Sequence, residues 1–354
     1  MSETSMPEAS TPETSMPETG GKFALMGLEP SPYTMKVDAY LKFKGAPFEW
    51  VPRNLKNEKR FQNHARVQLI PLLFFPSGET MQDSTLILER LENEVSGPGI
   101  HPDDPALWYL SCLFEEFGDE WCNKLMFFQR WFYEADAKAT GERLARERLS
   151  GQWWAPIARP IAAKMLVRRM VPRLVYSGGN ETNIPQLKAS FVSLSAMLDA
   201  HLADRPYLLG ARPCFGDFGL WCNFYQAWTD PTANAYLEAN APNLVAYIKR
   251  MKVPGVEGEF ETLDTLEPTL MPILKQEMAT RFFPWMRANE AAWEAGEAET
   301  SLTMNGELFQ QKTFKYQAGT LEELRRKFTT VADNETLTAV LEDAGCLEFV
   351  APRH

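Results

Sequence analysis

The strand signals of this 354-residue chain crowd into residues 22–82, and almost everything after Gly97-Pro98 carries helical periodicity. That division predicts a small α/β unit followed by a separate helical one. In the first unit, 22–28 (KFALMGL) reads as a buried strand. Ser31-Pro32 then reads as a helix entry, serine at the N-cap and proline at N1, with Tyr33, Val37, Tyr40 and Leu41 on one face. Gly45 ends that helix, 48–52 (FEWVP) suggests a second strand, and 58–66 is polar and helix-compatible. Pro71 opens a short apolar strand that Ser77-Gly78 turns back through 80–82, and Ser84 starts a helix with Ile87, Leu88 and Leu91 inward. The order is β-α-β-α-β-β-α over about 75 residues, the size of a small domain.

Helical runs are expected at about 104–137, 141–175, 184–203, 214–228 and 242–251, punctuated by Gly118, Gly151, Pro156, Gly178-Gly179 and Gly210. After Pro254-Gly255 a third segment holds a helix near 268–294, an Asn305-Gly306 turn suited to a small hairpin, and helices near 320–330 and 334–344 capped by Gly345. Residues 1–20 repeat ETSMPE at 3–8 and 13–18, with no aromatic and no basic residue, and are expected to be disordered. Their four glutamates belong to the net charge of −11; the rest of the chain carries roughly −7. That balance argues against nonspecific nucleic-acid binding. Five cysteines (112, 122, 214, 222, 346) form no C-x-x-C pair, and four scattered histidines give no zinc spacing, so neither a disulfide framework nor a metal is expected. No secretory leader and no apolar run of about 18 residues is visible, so the expectation is a soluble, reduced, cytoplasmic protein.

Three local features in the first unit carry chemistry. Ser31 stands between a strand and a helix, where its hydroxyl and the helix N-terminus can hold an anion, or where it serves only as a cap. Pro71 precedes a strand; a cis bond there turns the backbone of Ile70 toward an extended ligand, whereas a trans proline opening an edge strand is commoner. Asp83-Ser84 precedes a helix, suiting an amino acid's carboxylate and ammonium, or again a simple N-cap.

Taken together and in order, SPYTMKV (31–37), KGAPFEW (44–50) and IPLLFFPSGETMQDSTLI (70–87) resemble the thioredoxin-like N-terminal domain of the glutathione transferase superfamily, in its serine-type form. PYLLGARPCFGDFGLWCNF (206–224) and APNLVAYIKRM (241–251) resemble its helical part, with Cys214 where the superfamily has a Ser or Thr cap. The thiol is expected to weaken one half of the capping pair with Asp217. The resemblance implies a thioredoxin-like glutathione-binding domain (21–97), an all-helical glutathione-transferase C-terminal domain (103–253) and a mostly helical extension (254–354). It implies glutathione as co-substrate, with Ser31 on the sulfur, Ile70 and Pro71 along the backbone and Asp83 and Ser84 at the γ-glutamyl end. Tyr33 is the reserve hydroxyl donor.

The implied activity is conjugation or transfer of the glutathione thiolate to a small hydrophobic electrophile by a cytoplasmic homodimer. The alternatives are a non-catalytic binding or assembly module, and glutathione-dependent ether cleavage, dehalogenation or deglutathionylation. The aromatic stretch 108–133 is mostly core by its spacing, but Trp121, Phe128, Gln129 and Arg130, with Tyr33, are candidate pocket residues. Arg159, Lys164, Arg168, Arg169 and Arg173 among aliphatics suit either a membrane-surface helix or a solvated face; Pro156, Pro160 and Pro172 interrupt the run, so membrane association is not expected.

Overall fold

The computed structural model describes residues 21–352; the repeat at 1–20, expected to be disordered, lies outside the described residues. The first unit has the expected order: β1 (Phe23–Gly27), α1 (Pro32–Phe43), β2 (Phe48–Pro52), α2 (Glu58–His64), β3 (Leu72–Phe74), β4 (Thr80–Gln82) and α3 (Ser84–Glu94). The strands lie in the order β2-β1-β3-β4, with β1 parallel to β2 and the other pairs antiparallel. Alternate residues of the central strands serve opposite faces. Leu25 and Leu73 join the large core with α1 and α3, while Ala24, Met26, Leu72 and Phe74 pack with Val51 and with Phe61 of α2. Burial on both faces is why these strands read as unbroken apolar runs.

Beyond the sheet, α4 (Pro105–Phe117) runs through a π turn (Gly118–Cys122) into α5 (Asn123–Phe132). Gly118 therefore does not break the helix as its position suggests. It lets α9 (Phe215–Trp228) cross at backbone contact: a Cβ on Gly118 would lie 2.4 Å from the Gly219 carbonyl carbon, and one on Gly219 would lie 2.6 Å from the Glu115 oxygen. The expected run at 141–175 also divides differently. It becomes α6 (Glu134–Arg148) and α7 (Ala155–Met170), broken at 149–154. Pro156 sits in the first turn of α7, where its missing N–H is harmless. A 3₁₀ segment (Val171–Ser177), α8 (Ile184–His201), α10 (Pro231–Asn240) and α11 (Pro242–Arg250) complete this part; α10 has no counterpart in the sequence expectations. The cap of α9 is closed on both sides. Asp217 Oδ2 accepts from Cys214 N at 2.8 Å and the thiol faces the Asp217 N–H; sulfur is a weak acceptor, so the thiol half is the weaker of the two, as expected.

The C-terminal segment holds α12 (Leu263–Ile273), a π stretch (Leu274–Phe282) and α13 (Phe283–Glu294). The hairpin β5 (Glu299–Met304) and β6 (Glu307–Lys312) turns at Asn305 and Gly306, whose φ values of 49° and 81° suit a tight hairpin turn. Then come α14 (Lys315–Thr329), α15 (Glu335–Asp343) and α16 (Leu347–Val350), with Gly345 left-handed at φ 73°. This segment shares the helical core. Trp285 and Phe309 pack on Trp121, Phe282 on Phe117 and Phe328 on Tyr109. All five cysteines are free and buried.

The α4–α9 crossing yields a prediction. Gly219→Ala should lower stability by roughly 1–3 kcal/mol, because a methyl group must push two backbones apart. Urea denaturation measures it, and an unchanged midpoint would contradict the crossing.

Candidate functional site

A cavity of about 970 Å³ lies where the N-terminal turns of α1, α3 and α5 meet the π turn, the 171–177 segment and the start of α14. On α1, Ser31 is the N-cap, its Oγ accepting from Thr34 N at 3.4 Å, and Tyr33 in the first turn reaches the cavity. The Tyr33 hydroxyl donates to the Asp119 carbonyl at 2.9 Å, and burial raises its pKa. The turn before α1 is pinned from behind: Arg130 donates to Pro30 O at 2.7 Å and Gln226 to Glu29 O at 2.5 Å.

A second wall is Ile70-Pro71, joined by a cis peptide bond. The Gln82 side chain laces this loop to β4, accepting from Arg66 N (2.8 Å) and Val67 N (3.1 Å) and donating to Leu69 O (2.6 Å). Beside it, Asp83 caps α3 from a left-handed backbone (φ 79°), its Oδ1 accepting from Thr85 N at 3.1 Å. Ser84 opens the helix, so amide N–H groups and the positive end of the helix dipole face the cavity.

The floor is the π turn. Asp119 and Glu120 sit on it, and Asn123 and Lys124 follow at the start of α5. Burial pushes the Asp119 carboxyl up to about 7, with Lys36 opposing and Glu115 adding to the rise. Burial likewise raises Glu120, whose Oε2 accepts from Gln317 at 2.8 Å. Burial pushes Lys124 down to about 7; its Nζ donates to Gln311 Oε1 at 2.7 Å and lies 4.0 Å from the Trp285 ring centre. The floor can therefore hold or release a proton near neutrality. Phe314, Tyr316 and Gln317 of the C-terminal segment form the roof, with the Tyr316 hydroxyl 3.5 Å from Asp83 Oδ2. No group of His, Cys, Asp and Glu suited to a metal ion occurs among the described residues.

Of the residues singled out from sequence, Tyr33, Ile70, Pro71, Asp83 and Ser84 line one cavity; Ser31, expected on the sulfur, does not line it and stands half-buried at the head of the helix carrying Tyr33. The other pocket candidates do not line it. Trp121 is core, bonded to Ser190 Oγ at 2.9 Å; Phe128 stacks on Phe132; Gln129 is buried. Arg130 is spent on Asp230 and on the Pro30 carbonyl. The residues overlooked are Asp119, Glu120, Asn123 and Lys124. Their signal was a polar run, D-E-W-C-N-K, inside an otherwise apolar helix.

Two family models match the chain: glutathione S-transferase, N-terminal domain, over residues 30–94, and glutathione S-transferase, C-terminal domain, over 181–250. A probable glutathione S-transferase of Solanum tuberosum is 34% identical over 83 residues, which is 23% of this chain and 38% of the relative. The chain thus spans about two fifths of the length of the curated relatives it matches. Among solved structures, a glutathione S-transferase of Methylobacterium radiotolerans in complex with glutathione sulfonate is similar at 23% identity and a TM-score of 0.41, over 68% of this chain and 99% of that one. The β-etherase LigF of Sphingobium sp. strain SYK-6 is similar at 18% and 0.42, over 66% and 97%.

The floor predicts a pH dependence. An acid whose pKa is raised by folding binds its proton more tightly folded than unfolded, so Asp119 costs stability as pH climbs from the ordinary 3.8 through about 7, and the cost is level above that. Asp119→Asn should flatten this part of the stability profile in denaturation series across that window. Parallel profiles would remove Asp119 as its source.

Proposed function

The chain belongs to the glutathione transferase superfamily, and on that premise we propose that it binds glutathione in this cavity and delivers the thiolate to a small hydrophobic electrophile. One observation carries the reading: Ile70, Pro71, Asp83, Ser84 and Tyr33, which come from three separate stretches of sequence, line a single cavity at two helix N-termini. The γ-glutamyl carboxylate meets the α3 N-terminus at Ser84, and its ammonium group meets Asp83. The peptide backbone runs along Ile70-Pro71. The sulfur lies at the head of α1, where the helix dipole and the Ser31 hydroxyl favour the thiolate, with Tyr33 as the second donor. The thiolate then forms the new bond to the electrophilic carbon as the leaving group departs. A homodimer and a cytoplasmic location belong to the same proposal.

A second reading, cleavage of an ether bond, is favoured by one feature. Asp119, with its pKa near 7, borders the cavity and would supply a proton to a departing alkoxide.

Calorimetry tests the binding step. Glutathione should bind saturably, and Asp83→Asn, which keeps the cap but removes the charge, should weaken it about 10- to 100-fold. Ser31→Ala should retain binding and lose about 100-fold or more in turnover of an aryl halide. Turnover that survives Ser31→Ala but collapses in Tyr33→Phe would hand the sulfur to Tyr33. No binding at millimolar glutathione would instead favour the non-catalytic module.

A further inference from the structure

Helix α7 carries large apolar residues into solvent on one face. Its small residues Ala155 and Ala163 are buried, and α6 approaches so closely that a Cβ on Gly141 would lie 2.6 Å from Val167 Cγ2. Val167 and Met170 pack inward, but three of its large apolar residues and Trp153 just before it point to solvent: Trp153 is 88% exposed, Ile157 80%, Ile161 66% and Met165 65%. Spaced by four, they form one continuous stripe, and Val171, Val175 and Tyr176 extend it. An isolated globular chain would bury the large side chains and expose the alanines; a contiguous exposed stripe of this kind marks a surface that meets something apolar.

The charge around the stripe says what. Between Glu147 and Glu181 the sequence has no acidic residue, while Arg159, Lys164, Arg168, Arg169 and Arg173 surround the stripe in a chain of net charge −11. None of these five makes an ion pair among the described residues. Two copies meeting through this face would gather ten unpaired cations, so charge argues against a second copy as the occupant. The prolines, which made membrane association an unexpected outcome from sequence, do not interrupt the helix. Pro156 is in its first turn, Pro160 removes one hydrogen bond, and Pro172 lies beyond its end. No helix among the described residues is long and apolar enough to cross a membrane, so a bilayer would meet this one only at its surface.

We propose that α7 and the segment after it dock on an anionic lipid surface, the Trp153–Met165 stripe entering the acyl boundary and the five basic residues meeting the headgroups. Met170, Arg173, Tyr176 and Ser177 continue from this helix into the wall of the cavity, so docking sets the cavity mouth against the lipid. A lipid-dissolved electrophile would then enter without crossing water; that consequence rests on the glutathione reading, whereas the docking does not.

Vesicle flotation tests the docking with the full chain. The protein should float with vesicles of equal parts phosphatidylcholine and phosphatidylserine and not with phosphatidylcholine alone, and high salt should weaken binding. The double variants I157E/I161E and R168E/R169E change exposed positions only. Each should bind roughly tenfold or more weakly, with unchanged circular dichroism and glutathione titration. Asp83→Asn should float as the parent does, which separates failure of docking from failure of the glutathione site. Absence of flotation, or flotation indifferent to both double variants, would overturn the proposal. So would a dimer in sedimentation that I157E/I161E dissolves, or polyglutamate binding this face while vesicles do not.

Discussion

Lys36 is a fully buried cation, and the placement of the site depends on how it is satisfied. Its Nζ bonds Glu115 Oε1, Asp119 Oδ2 at 2.7 Å and Thr85 Oγ1 at 3.1 Å, tying α1 and α3 of the sheet unit to α4 and the π turn of the helical unit. Stripping an ammonium of water is tolerable only when carboxylates close around it, and removing one member of such a cluster characteristically costs about 3–5 kcal/mol. The two carboxylates hold the lysine charged, raising its pKa against the burial that would lower it. Three members of the cluster, Lys36, Thr85 and Asp119, neighbour or line the cavity. Tyr33 lies one turn before Lys36, Asp83-Ser84 immediately precede Thr85, and Asp119 is itself the floor. The cluster therefore sets the distance between the two helix N-termini, and so the length of ligand that fits between them.

Much of this is legible in the sequence. The succession of elements along the first unit, the Ser31 cap, the α3 entry at Asp83-Ser84 and the Asn305-Gly306 turn all follow from local rules that tertiary packing did not override. What was not legible depended on a distant partner. Gly118 reads as a helix breaker until α9 is laid across it, and then it is the residue that permits contact. Trp121 and Arg130 read as pocket residues, but the C-terminal segment encloses the first and Asp230 and Pro30 claim the second. Tyr33 reaches the cavity while Ser31, two residues earlier, caps the helix; that distinction is rotational and no spacing rule resolves it.

The C-terminal segment does more than extend the core. Gln311 meets Lys124, Gln317 meets Glu120 and Tyr316 approaches Asp83, so three of the cavity's ionisable groups take their polar neighbours from residues after 300. These contacts pair amides and a phenol, not opposite charges, with the ionisable groups; it is burial that brings Asp119 and Lys124 each to about 7. Under the proposed function, this segment tunes how the second substrate is received, while the first unit handles glutathione.

The burial of all five cysteines has a consequence of another kind. Burial raises every thiol, Cys112 and Cys346 to about 12, and no sulfur has the exposed thiolate that disulfide exchange requires. Under the proposed function, a protein that takes glutathione as its co-substrate would thereby stay chemically silent toward the oxidised half of that same pool. Its output would follow how much glutathione is present, and a swing in redox poise would leave no mixed disulfide on the chain to record it.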